Sequence, residues 1–188
     1  MSIEDVIKRI EPLKDEWFEK ARRRLDSLTK PMGSLGRLEG LAQQYVAIKE
    51  TDVPSIEKKL VYVFAGDHGV VEEGVSAFPK EVTAQMVLNF LKGGAGINVL
   101  SRHVSAEVRV VDIGVDHDFP EIKGLIRRKV KRGTGNIAKG PAMSRGEALK
   151  AVEIGVEFAF QASDEGFDII GTGDMGIGNT TPSSAILA

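Results

Sequence analysis

Six consecutive apolar residues, Leu60-Val61-Tyr62-Val63-Phe64-Ala65, end abruptly in Gly66-Asp67-His68-Gly69. A strand with one wet face alternates apolar and polar residues, so an unbroken run has to be covered on both faces, as in a parallel sheet. The chain repeats the arrangement. Val108 to Ile113 predicts a second strand, ending among Asp112, Gly114 and Asp116, and Phe167-Asp168-Ile169-Ile170 predicts a short third one. Helical periods lie between them. Val82 to Leu91 has helical spacing, with Pro79 near its start and Gly93-Gly94 after its end. Ser144-Arg145-Gly146-Glu147 has capping-box spacing ahead of an apolar stripe of Ala148, Val152, Val156, Ala159 and Phe160, and this long helix closes near Gly166. Strands separated by helices imply an α/β fold with a parallel sheet and right-handed crossovers.

The N-terminal part reads differently. Apolar residues from Ile3 to Leu28 recur at three and four, broken by Pro12, which predicts two short amphipathic helices. Lys30 to Gly36 is a glycine and proline turn, Leu38 to Ile48 restarts a helix, and Thr51 to Ser55 forms a loop. This divides the chain into a helical segment, 1–58, and an α/β domain, 59–188. A length of 188 residues suits one sizeable core. The net charge of −2 lacks the basic footprint of a nucleic-acid binder. Absence of cysteine excludes disulfides and thiolate chemistry, and no apolar run approaches the length of a membrane span. The first sixteen residues lack the apolar stretch of a signal peptide, so the expected location is the cytoplasm. The basic run Arg127 to Arg132 reads as a strand edge or solvated face, or else as an attractor of a substrate phosphate.

Each predicted strand ends in glycine plus a carboxylate, where open parallel sheets collect their ligands. Glycine lets backbone N–H groups approach a ligand, and a carboxylate accepts a proton or holds a sugar hydroxyl. The densest such end runs from Gly171 to Pro182. Gly171, Gly173 and Gly176 match G-x-G-x-x-G, yet only twelve residues follow Gly176, too few for the rest of a dinucleotide unit. There is no G-K-[ST] either, which excludes a P-loop. The remaining readings are an anion site, with Thr181 as N-cap and Pro182 at the first helical position, or a tight structural turn. A helix starting there runs out of residues in its second turn, so the chain reads as a fragment of a longer protein. Of the histidines, His68, His103 and His117, no pair has the spacing of a helical metal site, and no metal is expected. His68, beside Asp67 at a strand end, has either a role in the site or a hydrogen-bonding role in its loop. His117, between Asp116 and Asp118, reads as a solvated loop residue.

Several motifs coincide with one family in order and spacing. Lys30-Pro31-Met32-Gly33-Ser34-Leu35-Gly36-Arg37-Leu38-Glu39, Ala65-Gly66-Asp67-His68-Gly69-Val70, Gly74-Val75-Ser76-Ala77-Phe78-Pro79, Val82-Thr83-Ala84-Gln85-Met86 and Gly171 to Pro182 resemble the nicotinate-nucleotide:dimethylbenzimidazole phosphoribosyltransferases (CobT). The resemblance runs from about Leu28 to the end and corresponds to the first half of a typical member. It implies a Rossmann-like, doubly wound domain, a smaller helical domain drawing on both chain ends, and a homodimer. The implied reaction moves ribose 5-phosphate from nicotinate mononucleotide to 5,6-dimethylbenzimidazole, a step toward the lower ligand of cobalamin, with no metal or organic cofactor. By motif position Ser76, Phe78, Gln85 and Met86 look like the benzimidazole pocket, and Asp174, Gly176, Asn179 and Thr180 look like the nucleotide side. The family places glutamate where this chain has Asp174, so its carboxylate is one methylene shorter and reaches a proton through water or holds only the ribose. The family's principal base lies in the other half. The resemblance thus implies little transferase activity for this chain alone, and an exposed apolar face. A non-catalytic module that binds an azole or nucleotide is the alternative.

Overall fold

A computed structural model describes residues 3–188. They form two compact units, divided between Ile56 and Glu57.

The first unit is helical: α1 (Ile3–Lys8), α2 (Asp15–Asp26) and α3 (Arg37–Lys49), with Pro12 in the break between α1 and α2. Ala21 of α2 and Ala47 of α3 are buried, small residues that let two helices approach closely. The glycine-rich turn before α3 is folded around one carboxylate. Glu39 accepts from Lys30 Nζ at 2.8 Å and from the Leu35 backbone N–H at 3.1 Å. The Lys30 contact, and after it the Leu35 N–H, hold the Glu39 carboxyl below its ordinary value.

The second unit contains β1 (Lys59–Gly66), a 3-10 turn (Gly69–Glu73), α4 (Glu81–Leu91), α5 (Gly96–His103) and β2 (Ala106–Gly114). β3 (Leu125–Arg127), α6 (Arg145–Asp164), β4 (Ile169–Met175) and α7 (Thr180–Leu187) follow. Every strand pair is parallel and the sheet order is β3-β2-β1-β4. β1 is therefore central, with Val63 opposite Val110 on one side and Gly173 on the other.

Two cores explain the unbroken apolar run. Val63 and Ala65 point to one face and pack with Val87 and Phe90 of α4, whereas Leu60 and Tyr62 point to the other and pack with Ile154 and Phe158 of α6. Alternate residues of one strand thus serve opposite cores, the expectation for a strand covered on both faces. The expected fold class, an α/β sheet with helices on both faces, is what the chain adopts.

Three details differ from expectation. The buried stripe of α6 is Ile154, Phe158 and Ala162, while Val152 and Phe160 of the predicted stripe are exposed. This helix carries apolar residues on two faces, and spacing alone does not choose between them. β4 continues through Gly171, Thr172, Gly173 and Asp174, so the first two glycines of the apparent fingerprint are strand residues rather than a loop. α7 begins at Thr180 with Asn179 in the cap position, placing Pro182 third, where its missing N–H is still one that the helix leaves unused. The basic run meets its reading as a strand edge: Arg127 ends the edge strand β3, Arg128 pairs with Glu157, Lys129 with Asp112 at 3.1 Å, Lys131 with Glu147 at 3.1 Å, and Arg132 with Asp118. Among the described residues no helix is long and apolar enough to cross a membrane, and no group of acidic and histidine side chains could hold a metal ion.

Candidate functional site

β2 and β4 flank β1 on opposite sides, and β4 returns from the far end of the chain after β3. The connections leaving β1 therefore change direction between β1 and β4, the switch point at which doubly wound sheets open a crevice at their carboxyl ends. Gly66-Asp67-His68-Gly69 leaves β1 there, and Asp174-Met175-Gly176 leaves β4.

The β1 end is tied down by backbone bonds. Asp67 N–H donates to the Gly114 carbonyl at 3.0 Å, and the Asp67 carbonyl accepts from Thr134 N–H at 2.9 Å. Its Oδ2 accepts from Asp116 N–H at 2.8 Å. Gly69 meets the loop after β3 so closely that a Cβ there would lie 2.6 Å from the Gly135 carbonyl carbon. A side chain at position 69 would push that loop away.

The β4 end presses on the β1 end. A Cβ on Gly176 would sit 2.1 Å from the Gly66 carbonyl oxygen and 2.7 Å from His68 Nε2. Gly176 is glycine because the strand end and the imidazole occupy its side-chain space. Ile177 N–H donates to the fully buried Thr83 Oγ1 at 3.1 Å, which fixes the next residue to α4. Asn179 Nδ2 donates to Asp174 Oδ2 at 2.9 Å, so the amide at the cap of α7 orients the exposed carboxylate.

Two polar atoms at this junction break the usual rule that buried groups are paired. Asp67 Oδ1 and His68 Nε2 are buried and have no hydrogen-bond partner among the described residues. Burial pulls the His68 pKa below its ordinary 6.5, against the opposite pull of the Asp174 and Asp67 carboxylates.

Beside the junction lies a cavity of about 330 Å³ with an apolar floor of Ala84 and Leu88 and a rim that includes Asp67, Lys80, Gln85 and Asp116. Such a space accommodates a planar heteroaromatic ring with polar groups at its edge. Gln85 lines it. Ser76 Oγ instead accepts from the Phe78 N–H at 3.2 Å, Phe78 is 63% exposed, and Met86 packs against the α4 core. Lys80 and Asp116, joined at 3.1 Å across the cavity mouth, were not singled out from sequence. Asp116 had a signal, as an acid just past a strand end; Lys80 had only its place after Pro79. His117 is an exposed loop residue, as its reading had it, and borders this cavity as well.

A family model described as Phosphoribosyltransferase, DBI_PRT, matches residues 10–188. The nicotinate-nucleotide--dimethylbenzimidazole phosphoribosyltransferase of Geobacter sulfurreducens is 61% identical over 184 residues, covering 98% of this chain and 52% of the relative. That of Chlorobium chlorochromatii is 55% identical, covering 99% of this chain and again 52% of the relative. The crystal structure of the Thermus thermophilus enzyme of that name superposes with a TM-score of 0.87 at 48% identity, over 93% of this chain and 53% of that one. The chain thus spans about half the length of the curated relatives it matches.

Proposed function

The chain belongs to the DBI_PRT family of phosphoribosyltransferases, and we propose that it carries the azole-binding and nucleotide-binding part of an enzyme acting on nicotinate mononucleotide and 5,6-dimethylbenzimidazole. The reaction is a displacement at the ribose C1′. The unprotonated ring nitrogen of the azole forms a bond to C1′ and the bond from C1′ to the pyridinium nitrogen breaks. Its electron pair neutralises the ring and nicotinate leaves, while the azole N–H proton passes to a base, giving α-ribazole 5′-phosphate. The protein has to align the two rings, stabilise positive charge on the ribose and receive one proton.

This reading is supported above all by the junction of β1 and β4, where Gly176 packs against Gly66 and His68 and Asn179 orients Asp174, beside the cavity lined by Asp67 and Gln85. In it, Asp174, oriented by Asn179, faces the ribose and stabilises charge developing at C1′. The apolar floor takes the azole, and the backbone around Gly176 and Thr180 takes the nucleotide. The helical segment 1–58 contributes to a smaller domain, the active form is a cytoplasmic homodimer, and no metal or organic cofactor takes part.

The test mixes the chain with both substrates, measuring binding by calorimetry and nicotinate and α-ribazole phosphate by chromatography. Binding of both ligands, with product formed by the chain or once the remaining half of a relative is supplied, is the expected result. Failure of either ligand to bind would overturn the reading. Binding of both with no product under either condition would favour a non-catalytic module.

A further inference from the structure

The orphaned nitrogen of His68 has a consequence for how the nucleotide is held. The imidazole is wedged between the two strand ends: a Cβ on Gly176 would come within 2.7 Å of Nε2 and 2.8 Å of Cδ2. The ring thus packs directly on Gly176, and Nε2 is buried and unpaired among the described residues. Leaving a buried polar atom unmet is costly, and such atoms persist where a second state uses them.

The charges around the ring are few and can be named. Asp67 precedes it in the chain, and its Oδ1 is the other unpaired buried atom of this junction; the Asp174 carboxylate at the end of β4, held by Asn179, lies near enough to act on it. Gly176, packed against the ring, carries no charge. Lys80 and Asp116 stand on the far side, around Asp67 and the cavity. Burial thus opposes protonation of the imidazole and two carboxylates favour it, so the balance is open to tipping by one more negative charge.

Resting on the nucleotide reading above, we propose that His68 is a positioning residue that takes up a proton when the anionic nucleotide arrives and then, as imidazolium, fixes Asp174 at the end of β4. The proton comes from solvent; no bond of the substrate is made or broken. The argument is geometric. The residues assigned to the nucleotide, Gly176 above all, are the ones that touch the imidazole, so a phosphate there acts on the ring at close range through protein rather than through water. The imidazolium then stands between Asp67 and Asp174, compensating two carboxylates that otherwise repel an anionic ligand.

The experiment is a pH titration of the histidine side-chain resonances by NMR, free and saturated with nicotinate mononucleotide, with exposed His103 as internal reference. In the free protein His68 titrates below the ordinary 6.5. In the complex its midpoint rises by about one pH unit, and in Asp174→Asn the free midpoint falls further. Calorimetry in buffers of different ionisation enthalpy reads the same event as proton uptake, which His68→Gln abolishes. Binding with an unmoved His68 midpoint overturns the coupling alone. A free midpoint unchanged in Asp174→Asn overturns the link to that carboxylate, and absence of binding overturns the nucleotide reading on which the proposal stands.

Discussion

The two ends of the parallel sheet are built from similar residues to opposite effect. At the amino end charges are paired: Asp168 Oδ2 accepts from the Glu57 and Lys58 N–H groups at 2.9 and 3.1 Å, and Lys58 Nζ reaches the Glu165 carbonyl. Arg109 holds both oxygens of Glu165, at 3.1 and 2.5 Å, and Glu107 at 2.6 Å, with its guanidinium 5.2 Å from the Phe167 ring centroid. These bonds raise the Arg109 pKa further and hold the Glu165 carboxyl below its ordinary range. At the carboxyl end an aspartate oxygen and a histidine nitrogen are buried with no partner among the described residues, and glycine contacts replace side chains. The satisfied end gains nothing from a ligand. The unsatisfied one has groups that only a change of state can meet, which is how a fold separates support from function.

The largest effect that would sharpen this contrast is expected of Gly176→Val. The Cβ would meet a backbone carbonyl oxygen at 2.1 Å, which cannot rotate away as a side chain would. A loss of about 3 kcal/mol, the upper range for overpacking, should appear in the denaturation midpoint, together with loss of nicotinate mononucleotide binding. Wild-type stability would break the account of the β1 and β4 junction. Asp174→Asn removes charge and keeps shape, so nucleotide affinity should fall by about tenfold, 1.4 kcal/mol, with the melting temperature unchanged. Arg109→Ala should do the reverse, lowering the melting temperature by about 2–4 °C for about 1 kcal/mol lost and leaving affinity alone. Were Arg109→Ala to weaken nucleotide binding, the two ends would not be separable.

Much of this contrast was legible before any coordinates. The apolar run of β1 announced double-sided burial, and glycine with an acid after each strand marked the carboxyl end. Ser144 caps α6 as its spacing said, with Glu147 N–H donating to Ser144 Oγ at 3.2 Å. The strand order was not legible, because nothing local says that β4 lies beside β1, and the switch point follows from that order alone. β3 was missed because three residues carry no period, and α5 because eight residues opened by Gly96 look like a loop. The buried face of α6 was misread for want of knowing what it packs against. At the site, the family motifs pointed to Gln85 and Asp174, but Lys80 and Asp116 meet only in three dimensions. That Gly176 is shaped by His68, rather than only by a ligand, is likewise a fact of packing that no spacing encodes.

The smallest expected effect distinguishes the two ends by pH. The folded-state pKa of His68 lies below the ordinary 6.5, so between those two values the unfolded chain binds the extra proton. Its contribution to stability is fully present above 6.5 and drains away as the pH falls from there to the folded value. Glu165 has its carboxyl held below 4.5 by Arg109, so its contribution is present above 4.5 and is lost only as the pH falls through the lower, folded value. Acid therefore unsettles the carboxyl end first and the amino end second. Denaturation midpoints followed from about pH 8 to about pH 3 should show two declines in that order. His68→Gln, which cannot titrate, should flatten the upper one and leave the lower in place, and Arg109→Ala should make the lower shallower and leave the upper. A single decline that both variants alter would mean that the ends titrate as one system, and the division between a supporting end and a working end would fail at its electrostatic root.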